Sequence, residues 1–158
     1  MNDATPITRV LEAMGIPHRL VRHPAPLHSI EQAAAERNQT TDQVVRSILF
    51  HLGAEQYALV LIAGTRQASW PALRRHFGQS RLTMASEGEV RDVTGYEVGT
   101  VGPFGLRRDV RILVDEGVLE QEEISFGAGE KAAGVIMRRQ DFIAALGTIE
   151  IGDFTGPR

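Results

Sequence analysis

Two apolar runs set four residues apart constrain this chain more than any other feature. Val44-Val45-Arg46-Ser47-Ile48-Leu49-Phe50-His51-Leu52 and Tyr57-Ala58-Leu59-Val60-Leu61-Ile62-Ala63 flank the tetrapeptide Gly53-Ala54-Glu55-Gln56. Short β-branched and apolar runs around a glycine-bearing turn predict the two arms of a buried hairpin. The fold is then organised around a sheet, and these runs are its strongest core candidate. Arg46 and Ser47 interrupt the first run. A charge inside such a run is directed to solvent, a partner or a ligand, because burying it unpaired is costly. Ser47, which follows Arg46, has no base evident in the sequence that would make it a nucleophile, and it also fits a strand hydroxyl bonded to backbone.

The rest of the chain supplies short strands and helices. Thr5-Pro6 followed by Ile7, Val10, Leu11 and Met14 predicts a capped amphipathic helix that ends at Gly15. A short strand is expected over His18–His23, stopped by Pro24 and Pro26. Ser29 caps a second helix through the alanine run Ala33-Ala34-Ala35, with Asn38 as its stop. Ser69-Trp70-Pro71 opens a helix to Phe77, and Arg81–Met84 reads as a strand. Ser86 with Glu89 three residues on is a capping box, for a helix to about Val93. Strands are expected over Asp109–Asp115, Ile124–Phe126 and Gly134–Arg138, with a turn or short helix over Gly117–Glu122. A helix over Arg139–Leu146 and an edge strand over Thr148–Ile151 complete the chain. Strands with helices scattered among them predict an α+β domain on a mixed or antiparallel sheet.

At 158 residues the chain is read as one domain over residues 1–158, long enough for a real core. No apolar run approaches the roughly 18 residues a membrane span needs. The stretch Met1–Pro6 lacks the basic and apolar regions of a leader, so a cytoplasmic location is expected. Zero cysteines exclude disulfides, thiolate nucleophiles and cysteine-ligated zinc. The net charge of -3 argues against a bulk nucleic-acid binder. The basic side is sixteen arginines and one lysine, which makes Lys131 the only side-chain amine.

Thr94-Gly95-Tyr96-Glu97-Val98-Gly99-Thr100-Val101-Gly102-Pro103-Phe104-Gly105 is the second informative stretch. Four glycines and a proline shape a loop able to present main-chain N–H and C=O groups to a ligand. The same composition also fits a pair of ordinary turns. Gly127-Ala128-Gly129-Glu130-Lys131 is a second tight loop after a strand. It lacks the third glycine, the long helix and the downstream acid of a dinucleotide site, and no Gly-Lys-Ser/Thr occurs. His18, His23 and His28 recur every five residues, which matches neither a helical zinc pair nor a finger, so no metal and no cofactor is expected. His28, at a helix entry, fits a place near a pocket or an ordinary surface role. No Gly-x-Ser-x-Gly is present. The clusters Arg74-Arg75-His76, Arg107-Arg108 with Arg111, and Arg138-Arg139 fit solvated faces or phosphate contacts.

The Gly95–Gly105 spacing, Gly-Tyr-x-x-Gly-x-Val-x-Pro-Phe-Gly, resembles the glycine-rich loop of the YbaK / prolyl-tRNA synthetase editing-domain family. Leu27-His28-Ser29, the strand Val44–Leu49, Phe126-Gly127-Ala128-Gly129 and the late helix at Asp141-Phe142 follow the family's order. The resemblance covers nearly the whole chain. It implies a mixed, partly barrel-like β-sheet surrounded by helices, and hydrolysis of a small wrong amino acid from the 3′ end of a mischarged aminoacyl-tRNA. It implies Arg46 as the catalytic position. Substrate contacts are implied at His28, Ser47, Gly95, Gly99, Thr100, Val101, Gly102, Pro103, Phe104, Gly127, Ala128 and Gly129, with an aminoacyl-tRNA synthetase as a further partner and no membrane. Arg46 stands where the family carries lysine, Ser47 where threonine is usual, and Thr100 where a second glycine follows Gly99. Arginine keeps the charge but cannot act as a base near neutral pH. Two other readings therefore accompany hydrolysis: a module that binds tRNA ends or aminoacyl-adenosine without turnover, and a partner domain recruited to a synthetase. Lys131 fits either a surface lysine or an amine supplied to the site from the other loop.

Overall fold

The computed structural model describes residues 4–156. Residues 1–3, part of the leader reading, and residues 157–158 lie outside the described residues. Helix α1 (Pro6–Ala13) begins at the N-cap Thr5, whose hydroxyl accepts from Thr8 N–H while Thr8 Oγ1 accepts from Thr5 N–H. Strand β1 (Arg19–Arg22) follows, then α2 (Ile30–Glu36), capped by Ser29 and ended at Asn38 with φ 59°. Strands β2 (Val45–Leu52) and β3 (Tyr57–Ala63) form the expected hairpin, with Val45 opposite Ala63 and His51 opposite Tyr57. Helix α3 (Trp70–Phe77), β4 (Leu82–Met84) and α4 (Glu87–Thr94) lead into the glycine loop. The Ser86/Glu89 capping box is formed at the start of α4. After the loop come β5 (Arg111–Asp115), a 3-10 turn over Glu116–Glu120, β6 (Glu123–Gly127), β7 (Ala133–Arg138), α5 (Arg139–Leu146) and β8 (Glu150–Gly152).

The strands make two sheets rather than one closed barrel. The first is antiparallel, in the order β1-β7-β6. The second is mixed, in the order β4-β2-β3-β5-β8, antiparallel up to β3 and parallel beyond it. A parallel bridge between Val44 and Ser125 joins them just before β2 begins. β3 is apolar at every position because both its faces are covered. Leu59, Leu61 and Ala63 enter a core with Ile7, Phe126 and Phe142, whereas Ala58, Val60 and Ile62 enter a second core with Leu73 and Phe154.

β2 is less completely paired. β4 meets only Phe50–Leu52, so the first half of β2 has β3 on one side and an open edge on the other. Leu49 C=O accepts Ala85 N–H across that edge. Strand alternation turns the backbone groups of Ser47 the same way. The two sheets part here, and the gap is the cleft described next.

Candidate functional site

The cleft encloses about 550 Å³. One wall is the start of β2, Val44–Ile48. Leu27, Ile30, Ala33 and Arg37, from α2 and its entry loop, line another. The glycine loop contributes Val98–Val101, and β6 with its following turn contributes Phe126, Gly127, Glu130, Lys131 and Ala132. Arg46, Ser47, Gly99, Thr100, Val101 and Gly127, all expected site residues, therefore share one cavity.

The two glycine segments meet backbone to backbone, which explains their glycines. A Cβ on Gly102 would sit 2.5 Å from Gly127 O, and one on Gly127 would sit 2.7 Å from Thr100 O. No side chain fits at such distances. Gly129 N–H donates to Thr100 O at 2.9 Å and holds the two loops in register. Tyr96 closes the base of the first loop: its hydroxyl donates to Phe104 O at 2.5 Å. Thr100 N–H is committed to Glu97 O, and so is its hydroxyl. The N–H groups of Gly99 and Val101 donate to no other protein group among the described residues. With Val98 N–H, which likewise donates to no protein group among the described residues, they are main-chain donors that the loop offers at the cleft.

Other expected contacts lie around the cleft rather than in it. His28 is exposed and does not line it, although Leu27 and Ser29 on either side do. Gly95 terminates α4 at φ 84°. Pro103 is buried, and Phe104 packs its ring against Phe126 and Phe142 at centroid distances of 5.7 and 5.8 Å. Ala128 is fully buried in the same core, and its C=O receives Ile7 N–H. Gly129 packs against Tyr96 and Pro6. Gly102 supports the wall without lining it. The arginine clusters serve elsewhere: Arg111 forks onto Glu150, Arg108 lies over Tyr57 and Arg74 over Trp70.

Arg46 is half-buried and already bonded. Its Nε donates to Gly64 O at 2.8 Å, and Nη2 donates to Arg66 O. Desolvation lowers its pKa. Two carbonyls of the segment after β3 thus fix the guanidinium at the cleft wall, and Nη1 donates to neither. Ser47 Oγ is buried without a hydrogen-bond partner among the described residues, so the backbone-bonded alternative for this hydroxyl does not hold. Lys131 is exposed at the cleft.

Sequence reasoning missed Arg37. It lines the cleft at 6 % exposure, at the end of α2. Burial pushes its pKa down to about 10, so it remains charged at neutral pH. Its signal was present: Ile30, Ala33, Ala34 and Arg37 occupy i, i+3, i+4 and i+7 of one helical face, and the apolar stripe ends in a cation.

The profile of the aminoacyl-tRNA editing domain family matches residues 24–145. The multifunctional Ser/Thr-tRNA deacylase ProXp-y of Escherichia coli is 28% identical over 138 residues, which cover 85% of this chain and 82% of that protein. A proline–tRNA ligase of Bacillus cereus is 29% identical over 103 residues, 65% of this chain but 18% of the ligase. A crystal structure of a candidate trans-editing enzyme for prolyl tRNA synthetase superposes with a TM-score of 0.88, covers 96% of each chain and is 24% identical, which establishes the shared fold.

Proposed function

The chain belongs to the aminoacyl-tRNA editing domain family, and from that premise we infer that residues 1–158 act as one deacylase unit on mischarged aminoacyl-tRNA, with the cleft as its active site. The observation that carries this reading is the convergence of the glycine loop, the Gly127 turn and β2 on a single cavity. The 3′ end of the tRNA enters with its acyl group toward the buried floor. The exposed amine of Lys131 and the half-buried guanidinium of Arg46 suit the phosphates and ribose nearer the mouth. The amides of Gly99 and Val101 suit the carbonyl oxygen as it gains charge.

The reaction needs no side-chain nucleophile. A water oxygen bonds to the ester carbonyl carbon, and the bond from that carbon to the ribose oxygen breaks. One water proton ends on the ribose oxygen, and the other leaves to solvent as the acid ionises. Discrimination by the size of the acyl group, as in sieve-type editing, belongs to the same reading. An aminoacyl-tRNA synthetase as a partner belongs to it as well.

Hydrolysis of a panel of mischarged tRNAs tests it. The wild type is expected to release at least one small amino acid, and Arg46→Ala to slow that release by about tenfold or more. No release from any tRNA in the panel would sink the reading. One observation favours a second reading, a module that binds without turnover: Arg46 is held by the carbonyls of Gly64 and Arg66. In that case the wild type binds aminoacyl-adenosine analogues without cleaving, and Arg46→Lys creates activity.

A further inference from the structure

A buried guanidinium that no carboxylate contacts among the described residues stands at the cleft. Arg37 Nε donates to His23 Nε2 at 3.2 Å, and Nη1 donates to Ser125 Oγ at 3.0 Å. Neither partner is a carboxylate. Nη2 donates to no protein atom among the described residues. The nearest acid, Glu36, is reached only through the imidazole, by a 2.8 Å contact between His23 Nδ1 and Glu36 Oε1. A charge taken out of water is costly unless a partner meets it.

The group is held rigidly. Arg37 Nε–H points at His23 Nε2, so the ring proton sits on Nδ1 and is donated to Glu36. Glu36 Oε2 in turn accepts Gln32 Nε2, and Gln32 Oε1 accepts His28 N–H. Hydrogen bonds thus run from the cleft rim at His28 to Ser125 on β6. The guanidinium lies flat on β7: a Cβ on Gly134 would fall 2.4 Å from Arg37 Cζ.

We propose that Arg37 is a catalytic residue of this cleft, whose guanidinium receives the charge that ester hydrolysis places on the acyl oxygen and then holds the carboxylate of the released amino acid. The inference rests on the deacylase reading above. Among the described residues, three cations line the cleft at graded depth: Lys131 exposed, Arg46 half-buried and Arg37 buried. A phosphodiester, hydrated and tied to nucleotides on both sides, suits the outer two. The deep one, in a cleft it shares with Leu27, Ile30, Ala33 and Val44, is reached by a small neutral acyl group. That ester is uncharged when it arrives. Attack of water turns its carbonyl oxygen into an oxyanion, and departure of the ribose oxygen with one proton leaves a carboxylate. A fixed cation in a dry site acts most strongly on charge that appears during the reaction.

The test uses the full chain and the mischarged tRNA it hydrolyses fastest. Arg37→Gln removes the charge. Gly134→Ala retains every functional group but displaces the guanidinium, and it carries the test if Arg37→Gln fails to fold. Both are expected to lower kcat by about 10²–10³-fold with KM within about threefold, and Arg37→Lys to recover part of the loss. A raised KM with kcat retained would assign Arg37 to ground-state binding and overturn the proposal. A second arm follows the Arg37 Nε–H resonance during titration with L-alanine and with L-alaninamide. A shift with the carboxylate and none with the amide is expected; equal or absent response overturns the anion site. If the wild type hydrolyses nothing yet this shift is present, the deacylase reading falls and the anion site remains.

Discussion

Gly102 and Gly127 show most directly how single residues shape the cleft. Each faces main-chain oxygens of the other's loop at a distance no Cβ tolerates, and backbone atoms cannot swing away. Gly102→Ala and Gly127→Ala are expected to destabilise the protein by about 1–3 kcal/mol, read as a lower thermal midpoint, and to abolish hydrolysis by prising the loops apart. Gly99 is the contrast. Its φ is 89°, but nothing lies within 4 Å of its added Cβ. Gly99→Ala should therefore cost only the backbone strain, about 1 kcal/mol. A larger loss at Gly99 than at Gly102 would contradict this account of the loop.

At the level of elements, the loop between α4 and β5 is a rigid part of the fold. Gly95 ends α4, Arg107 and Arg108 N–H return to Thr94 and Val93 carbonyls, and Phe104 anchors the middle in the aromatic core. Tyr96 spans the loop from beneath through its bond to Phe104 O. Tyr96→Phe removes one hydrogen bond and leaves a buried carbonyl short of a donor. About 1–2 kcal/mol of stability should be lost. The fall in kcat should exceed what unfolding explains at a temperature where the variant remains folded, because the Gly99 and Val101 amides shift. Unchanged kcat would show that those amides do not touch the reacting group.

Across the whole molecule, the far side of the mixed sheet is tied by charge rather than by the cleft. Arg111 on β5 forks onto Glu150 on β8 at 2.8 and 2.6 Å, and His76 on α3 adds a third contact at 2.9 Å. Arg111 first, then the His76 hydrogen bond, hold the Glu150 carboxyl at about 2. Folding lowers this pKa, so the stabilisation is complete above the ordinary value of 4.5 and disappears as pH falls toward 2. The network is partly exposed, and after screening it contributes about 1 kcal/mol. Glu150→Gln should melt about 2–4 °C lower than wild type at pH 7, with the gap closing as pH falls below 4.5. A gap of equal size at pH 3 and pH 7 would refute the assignment. Among the described residues, no helix is long and apolar enough to cross a membrane.

Local rules wrote the order of elements into the sequence. Thr5, Ser29, Ser69 and Ser86 cap their helices through bonds only three residues long, and the hairpin follows from strand period and turn composition. These interactions act within a few residues, so a linear reading finds them. The family's glycine spacing was legible for the same reason, and it singled out Arg46, Ser47 and the two glycine loops, several of whose residues line one cavity. Which of those residues face the cavity was not legible. Phe104 and Ala128 went to the core, His28 to the rim, and Arg37 emerged at the floor. Arg37 meets Ser125 across 88 residues of chain, and its depth depends on β7 offering a glycine beneath it. Burial, and with it the chemistry of a buried charge, is a property of how two sheets part, and only tertiary packing decides that.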